Sequence, residues 1–300
     1  MSGAGIDEKQ APKPPSRRDH IPLGILYMIG ATAMFAGSSA ITKWQVADYP
    51  VGEVLFVRTL TSLVICCIMI LPAAGVSVFL TNRLRDHAMR SVAQSASQTF
   101  IVIAFSLMPL AGAVAINFSS PLFAVLASAI ILREVVGAAR WGALIVGFLG
   151  VVIVAAPGMD SFQIGALFAL ANAVIYGSVT AAVRGMTKTE SAETLTLYQM
   201  VFLTAIFAAF LPFGFIMPTP GDGALMVLNG TANALGQYWW TRSLTLAPAS
   251  AVTPFFYFSL VWAIILGFLV WGDLPTVGLL IGSAIVVGSG LFLLWRESRR

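Results

Sequence analysis

Residues 106–154, SLMPLAGAVAINFSSPLFAVLASAIILREVVGAARWGALIVGFLGVVIV, are echoed by residues 243–294, SLTLAPASAVTPFFYFSLVWAIILGFLVWGDLPTVGLLIGSAIVVGSGLFLL. Both stretches are apolar, and they correspond by more than composition. Ser106 and Leu107 return as Ser243 and Leu244 at a spacing of 137, and Gly142 and Gly150 as Gly282 and Gly290 at 140. Upstream, Gly37 and Ser38 pair with Gly177 and Ser178, and Glu53 with Glu193, again at 140. The chain beyond its first twenty residues is therefore two related halves. An internal repeat of membrane sequence points to transport.

At 58% hydrophobic and 10% charged residues, with mean hydropathy +0.88, the 300-residue chain carries more apolar surface than a soluble core could bury. A lipid bilayer is its expected surrounding. Only residues 1–20 have soluble character, and Asp7, Glu8, Lys9, Pro12, Lys13, Pro14, Pro15, Arg17 and Arg18 predict a disordered tail. The tail with the apolar run after it does not read as a signal peptide, because that run continues past Ile41 with no small-residue cleavage pattern. Cys66 and Cys67 are adjacent within an apolar run, which predicts neither an ordinary disulfide nor a metal site. No cofactor is expected. The net charge of +4 is spread singly between apolar runs rather than clustered on a face, so no nucleic-acid partner is expected either.

A helix needs about 20 apolar residues to cross about 30 Å of hydrocarbon. Ten such runs can be drawn, near 22–42, 53–72, 88–107, 111–132, 140–157, 163–183, 195–216, 222–243, 250–271 and 276–295. Assigning loops alternately puts Lys9, Lys13, Arg17, Arg18, Arg83, Arg85, Arg90, Arg133, Arg140, Arg184, Lys188, Arg242, Arg296, Arg299 and Arg300 on one side. Lys43 falls on the other, and Arg58 lies inside the second run. Basic loops are retained in the cytoplasm, so both termini are expected there. Five spans per half is an odd number, so the second half enters the membrane in the opposite sense and the repeat is inverted. The expected fold is an all-α membrane protein of ten transmembrane helices in two inverted five-helix repeats. Its predicted divisions are a tail at 1–20, a first repeat at 21–157, a second at 163–295 and a C-terminal end at 296–300. Two similar packings of opposite sense can exchange roles around a midplane site, which is alternating access.

FAGSSAITKW (35–44) with PVGEVLFVR (50–58), then NFSSPLFAVLASAIILREVVGAARWGALIVGFLGVVIV (117–154) and its shorter echo through Asp273, Gly282 and Gly290, resemble the EamA-type ten-span carriers of the drug/metabolite transporter superfamily. The resemblance covers residues 21–295. Asp273 stands where a glutamate is usual, and Pro254 is one turn from where Pro121 would map. The resemblance implies a monomeric or weakly dimeric carrier of a small organic metabolite, with a central cavity lined mainly by helices 1, 3, 4, 6, 8 and 9. The FSSPLFAVL and RWGALIVGFLGVVIV stretches are similar to those of riboflavin importers, with S-adenosylmethionine and organic-acid carriers close by.

Polar side chains are costly in hydrocarbon unless they face protein or water, so their spacing marks interior faces. In the third span Ser91, Gln94, Ser95 and Gln98 form one face, and in the eighth Asn229, Asn233, Gln237 and Trp240 form another. Asn172 and Tyr176 in the sixth span, Asn117 and Ser120 in the fourth, and Thr253 and Tyr257 in the ninth add to them. The candidate substrate-binding residues are Gln94, Gln98, Asn117, Asn172, Tyr176, Asn233, Gln237, Trp240 and Tyr257. The competing reading is that such groups bond across helices, each worth about 0.6 kcal/mol. Lys43 and Arg58 are candidate gate or charge residues: Lys43 can also snorkel to the interface, while Arg58 calls for Glu53, backbone carbonyls or an anionic substrate group as partner. Gly142, Gly147 and Gly150, with Gly278, Gly282 and Gly290, give the fifth and tenth helices small surfaces, usable for a homodimer contact or for packing within one chain. Pro121 and Pro254 are candidate bend points.

No Asp or Glu lies in the middle of a span, which argues against proton-coupled export of cationic drugs. The two histidines, His20 and His87, lie outside the predicted spans with no catalytic constellation beside them, so an integral membrane enzyme is the remote alternative. The expected function is alternating-access transport of a small organic metabolite, with riboflavin uptake first and export or exchange of organic acids, amino acids or S-adenosylmethionine-like metabolites as the alternative.

Overall fold

Inside hydrocarbon every backbone N–H and C=O has to be met within its own segment, so the apolar runs form helices. A computed structural model describes residues 20–131, 138–155, 160–186, 189–247 and 252–297, and among these there is no strand. The helices are α1 (Ile21–Gln45), α2 (Val51–Ala74), α3 (Leu84–Leu107), α4 (Leu110–Asn117), α5 (Ser120–Ile131), α6 (Ala138–Ala155), α7 (Asp160–Met186), α8 (Ala192–Ala208), α9 (Pro220–Leu246), α10 (Phe258–Trp271) and α11 (Val277–Glu297). The predicted tail at 1–20 lies, but for His20, outside the described residues.

The fourth and ninth spans are not continuous. The fourth breaks into α4 and α5 at Phe118–Ser119, just before Pro121, whose missing N–H cannot continue the ladder. The ninth enters as a tight 3-10 turn, Thr253–Tyr257, with a proline at its start, before becoming α10. Both expected bend points therefore fall where the helix changes. α2 runs through Pro72 to Ala74 and stops at Gly75, whose φ of +70° is open to glycine. Hydroxyl caps start α8 and α9: Ser191 accepts the Thr194 N–H and Thr219 the Asp222 N–H.

Helix pairing repeats between the halves. α1 packs on α9 as α3 packs on α7, α2 on α9 as α8 on α3, and α1 on α10 as α5 on α7, while α2 with α8 and α6 with α11 pair directly. Exchanging the halves maps every one of these contacts onto another or onto itself. The α6–α11 contact depends on glycine, since a Cβ on Gly150 would stand 2.9 Å from the Gly282 carbonyl oxygen and one on Gly282 2.8 Å from the Val154 nitrogen. These glycines are used within the chain, so a homodimer through the fifth and tenth helices would have to meet on their outward faces.

Among the described residues four helical segments are individually long and apolar enough to cross a membrane: Ile21–Gln45, Val51–Ala74, Ile164–Val183 and Ala192–Phe213. α3 and α9 match them in length and miss only through the polar residues they carry. The helix directions place His20 and Arg296 on one face, called terminal here, and Lys43, Met108, Tyr49 and Asp273 on the opposite, distal face.

Apolar packing divides along this axis. One large core, including Ala40, Leu55, Phe105, Ile116, Phe207 and Ala263, joins helices of both halves from the distal ends to about the middle. Nearer the terminal face the packing falls into three small separate clusters, around Met28 and Ala247, around Cys66 and Leu197, and around Leu122 and Ala143. The bundle is sealed distally and split terminally.

Candidate substrate cavity

The split is visible on α7. Leu167 and Val174 face outward, whereas Tyr176 and Thr180 are exposed on the far side of the same helix, about 200° round from Val174 and Ser178 at 100° per residue. That second exposed face opens into the terminal half of the bundle. The repeat supplies an internal control. Tyr176 and Thr180 correspond at the spacing of 140 to Ala36 and Ala40; Tyr176 is 42% exposed, while Ala36 and Ala40 are 3% and 7% exposed. Equivalent positions are open toward the terminal face and shut toward the distal one.

Cross-bundle bonds hold the distal side. The Lys43 ammonium donates to the Met108 carbonyl at 2.7 Å and sits 5.1 Å from the centre of the Trp271 ring. Lys43 is therefore tied across the bundle rather than snorkelling freely. The Arg58 guanidinium donates through Nη2 to Gln98 Oε1 at 2.6 Å and through Nη1 to Thr42 Oγ1 at 3.5 Å. Glu53, an expected partner of Arg58, instead accepts the Ile216 N–H at 2.9 Å. On the distal side the Tyr49 phenol donates at 2.8 Å to Asp222 in the first turn of α9, and that bond to a carboxylate holds it above its ordinary pKa.

The expected site residues separate into three groups. Asn117, Asn172 and Asn233 are consumed in bonds between helices: Asn172 Nδ2 donates to Asn117 at 2.7 Å while its oxygen accepts from Ser97 at 2.6 Å, and Asn233 donates to Ser62 at 3.1 Å. Trp240 packs with the Met28–Ala247–Val252 cluster. Tyr257 packs 5.0 Å from the Phe118 ring, with its hydroxyl over Gly290. Both aromatic side chains are half-buried and pack against neighbouring helices. Gln94, Tyr176 and Gln237 form the third group, whose side chains have no hydrogen-bond partner among the described residues. Gln98 is engaged by Arg58, whereas Gln94 is 6% exposed with its amide unpartnered among the described residues, so the third-span stripe is part gate and part buried, free amide.

One residue escaped the sequence reading. Arg90 is only 8% exposed and lies on the α3 face that carries Gln94 and Gln98 one and two turns on. Its Nη2 donates to the Leu195 carbonyl at 3.3 Å and to the Gln199 side chain, both on α8. Tyr176 is near enough to interact with it electrostatically. Its i, i+4, i+8 spacing with the glutamines was the available signal, but its place among loop cations hid it. Asn229, in the eighth-span stripe, accepts from Ser38 at 2.6 Å and donates to Thr42 at 2.9 Å, fixing α9 to α1.

The description of an EamA-like transporter matches the sequence twice, over residues 22–156 and 163–295. The chain belongs to the EamA-like transporter family. This EamA chain is 29% identical to a riboflavin transporter of Rhizobium johnstonii over 93% of each chain. It is 23% identical to an S-adenosylmethionine uptake transporter of Rickettsia bellii, over 92% of this chain and 95% of that one. A crystal structure shares its fold at a TM-score of 0.64 and 22% identity, covering 91% of this chain and 97% of that one. As an EamA protein with apolar helices it is a bacterial membrane transporter of the drug/metabolite superfamily.

Proposed function

We propose that the chain takes up riboflavin across the cytoplasmic membrane by alternating access, with both termini in the cytoplasm. The observation carrying this reading is the unequal exposure of repeat-related positions, Tyr176 and Thr180 against Ala36 and Ala40, around unpaired amides. A carrier caught open on one side has this asymmetry, and exchange of the two halves' packings would open the other side. With Arg90 counted as buried, fourteen of the 17 Lys and Arg still belong to the terminal side, which supports a cytoplasmic terminal face. The two units at 21–157 and 163–295 are the exchanging halves. Gln94 and Gln237 offer donors and acceptors suited to the ring edge and hydroxyl chain of a flavin, and the Rhizobium relative's name directs attention to that cargo. S-adenosylmethionine carries a sulfonium and an ammonium group against a single carboxylate, a net positive charge that suits two buried arginines less well.

Uptake of labelled riboflavin into vesicles containing the protein should exceed that into empty vesicles and be competed by unlabelled riboflavin. Absence of both would sink the flavin reading. A fluorescent reporter fused after Arg300 should light up in the cytoplasm; a reporter active only in the periplasm would reverse the orientation.

A further inference from the structure

Two arginines stand inside the bundle with neutral glutamines where carboxylates would be the usual counter-ions. Arg58 of α2 is paired with Gln98, and Arg90 of α3 with Gln199. Among the described residues neither forms an ion pair. Arg58 Nε, Arg90 Nε and Arg90 Nη1 are buried without an acceptor among the described residues. A buried cation lacking its counter-charge is costly, and unmet donors on it add to the cost. A glutamine oxygen only partly offsets this, because bonds in which both partners are charged are the stronger kind.

The two pairs lie at opposite ends of one polar face of α3. Arg90 and Gln98 are eight residues apart, about 12 Å along the axis at 1.5 Å per residue. The Arg58 pair belongs to the sealed distal half. Arg90 lies in the terminal half beside Tyr176, which is exposed on the open face, and one turn from Gln94, which is 6% exposed and without a hydrogen-bond partner among the described residues. α2 and α8 occupy equivalent places in the two halves, so each half clamps α3 through one Arg–Gln bond. Either glutamine can be displaced by a better acceptor that reaches its arginine.

We propose that the passage also carries organic anions, whose carboxylate or phosphate replaces Gln199 on Arg90 when the cavity opens terminally and Gln98 on Arg58 when it opens distally. This rests on the cavity reading above but not on the flavin. A neutral flavin meets the amides alone, whereas a flavin carrying a phosphate meets the guanidinium as well. Handing one anionic group from Arg58 to Arg90 compensates each cation in turn along the passage. It also explains why the span interiors carry no carboxylate, which would occupy the arginines permanently.

The test compares matched neutral and anionic ligands on the purified full chain in detergent, reading the ligand concentration that half-saturates the thermal-stability shift. The pairs are riboflavin with riboflavin 5′-phosphate, and succinamide with succinate. In at least one pair the anion should act at roughly tenfold lower concentration or less, the effect of one added charge-assisted bond. Arg90→Gln should bring that ratio to about one, and Arg90→Lys should leave it in between. Equal action of both members in both pairs overturns the proposal, as does a ratio that survives Arg90→Gln in protein eluting as a single species. Should the glutamine variant not fold, the wild-type ratio together with Arg90→Lys decides. Riboflavin uptake with ratios of one would remove the anion proposal and leave the flavin reading; a succinate ratio without flavin binding would do the reverse.

Discussion

At the scale of single residues, polar groups in the bundle do two different jobs that share one chemistry. Asn229 is fully buried and bonded to Ser38, Thr42 and, more loosely at 3.3 Å, to Gln45, so its amide holds α9 against α1. Asn229→Ala should lower stability by about 1–3 kcal/mol, the range for leaving buried partners unmet, measured as a fall in the midpoint of thermal aggregation. Gln94 binds nothing described in the chain, so Gln94→Ala leaves no buried partner unmet and should lower stability less than Asn229→Ala, while weakening transport roughly three- to tenfold, the loss of one hydrogen bond. A stability loss at Gln94 with unchanged uptake would place it in packing. Spacing alone put both residues in interior stripes, but it could not tell a partnered amide from a free one. Arg90 makes the same point in reverse: its charge suggested a loop, and only the fold showed it buried against α8.

At the scale of elements, glycines and prolines set where helices touch and where they break. The breaks before Pro121 and at Thr253–Tyr257 were legible because proline's missing N–H is a local property. The close α6–α11 contact was only half legible: the glycine pattern announced a small surface without saying which helix would use it. Gly282→Val should be severely destabilising, because its Cβ would meet the backbone of α6 at 2.7 and 2.8 Å. Gly142→Val should be tolerated within about 0.5 kcal/mol, because nothing lies within 4 Å of that Cβ. Detergent-solubilised yield and melting point of the two variants provide the comparison. Loss of a dimer in the Gly142 variant alone would instead locate an intermolecular contact on the outward face.

At the scale of the whole molecule, function follows from how apolar packing is distributed along the membrane normal. One large core joins the halves distally and three smaller clusters, two of which also span both halves, pack terminally, so most of the cost of exchanging states lies in opening the distal core and its Lys43 and Arg58 ties. With Cys66 and Cys67 replaced by alanine, a membrane-impermeant maleimide should label Thr180→Cys and spare Ala40→Cys. Lys43→Ala should raise labelling at Ala40→Cys by loosening the distal seal. Equal labelling of both cysteines in the parent background would show that the two sides are not alternately closed.

The sequence by itself determined the class of molecule: a membrane chain of helices, in two related halves of opposite sense, with its polar faces on the third and eighth spans. Each of these follows from composition, period or charge placement, which are properties of a segment or of a count along the chain. The tertiary structure alone decided which polar groups are free, that Arg58 meets Gln98 rather than Glu53, that Trp240 and Tyr257 pack against neighbouring helices, and which side of the cavity is open. Those are relations between residues as far apart as Ser38 and Asn229. They depend on which helix faces which, and two halves carrying nearly the same pattern can satisfy that pattern in more than one packing.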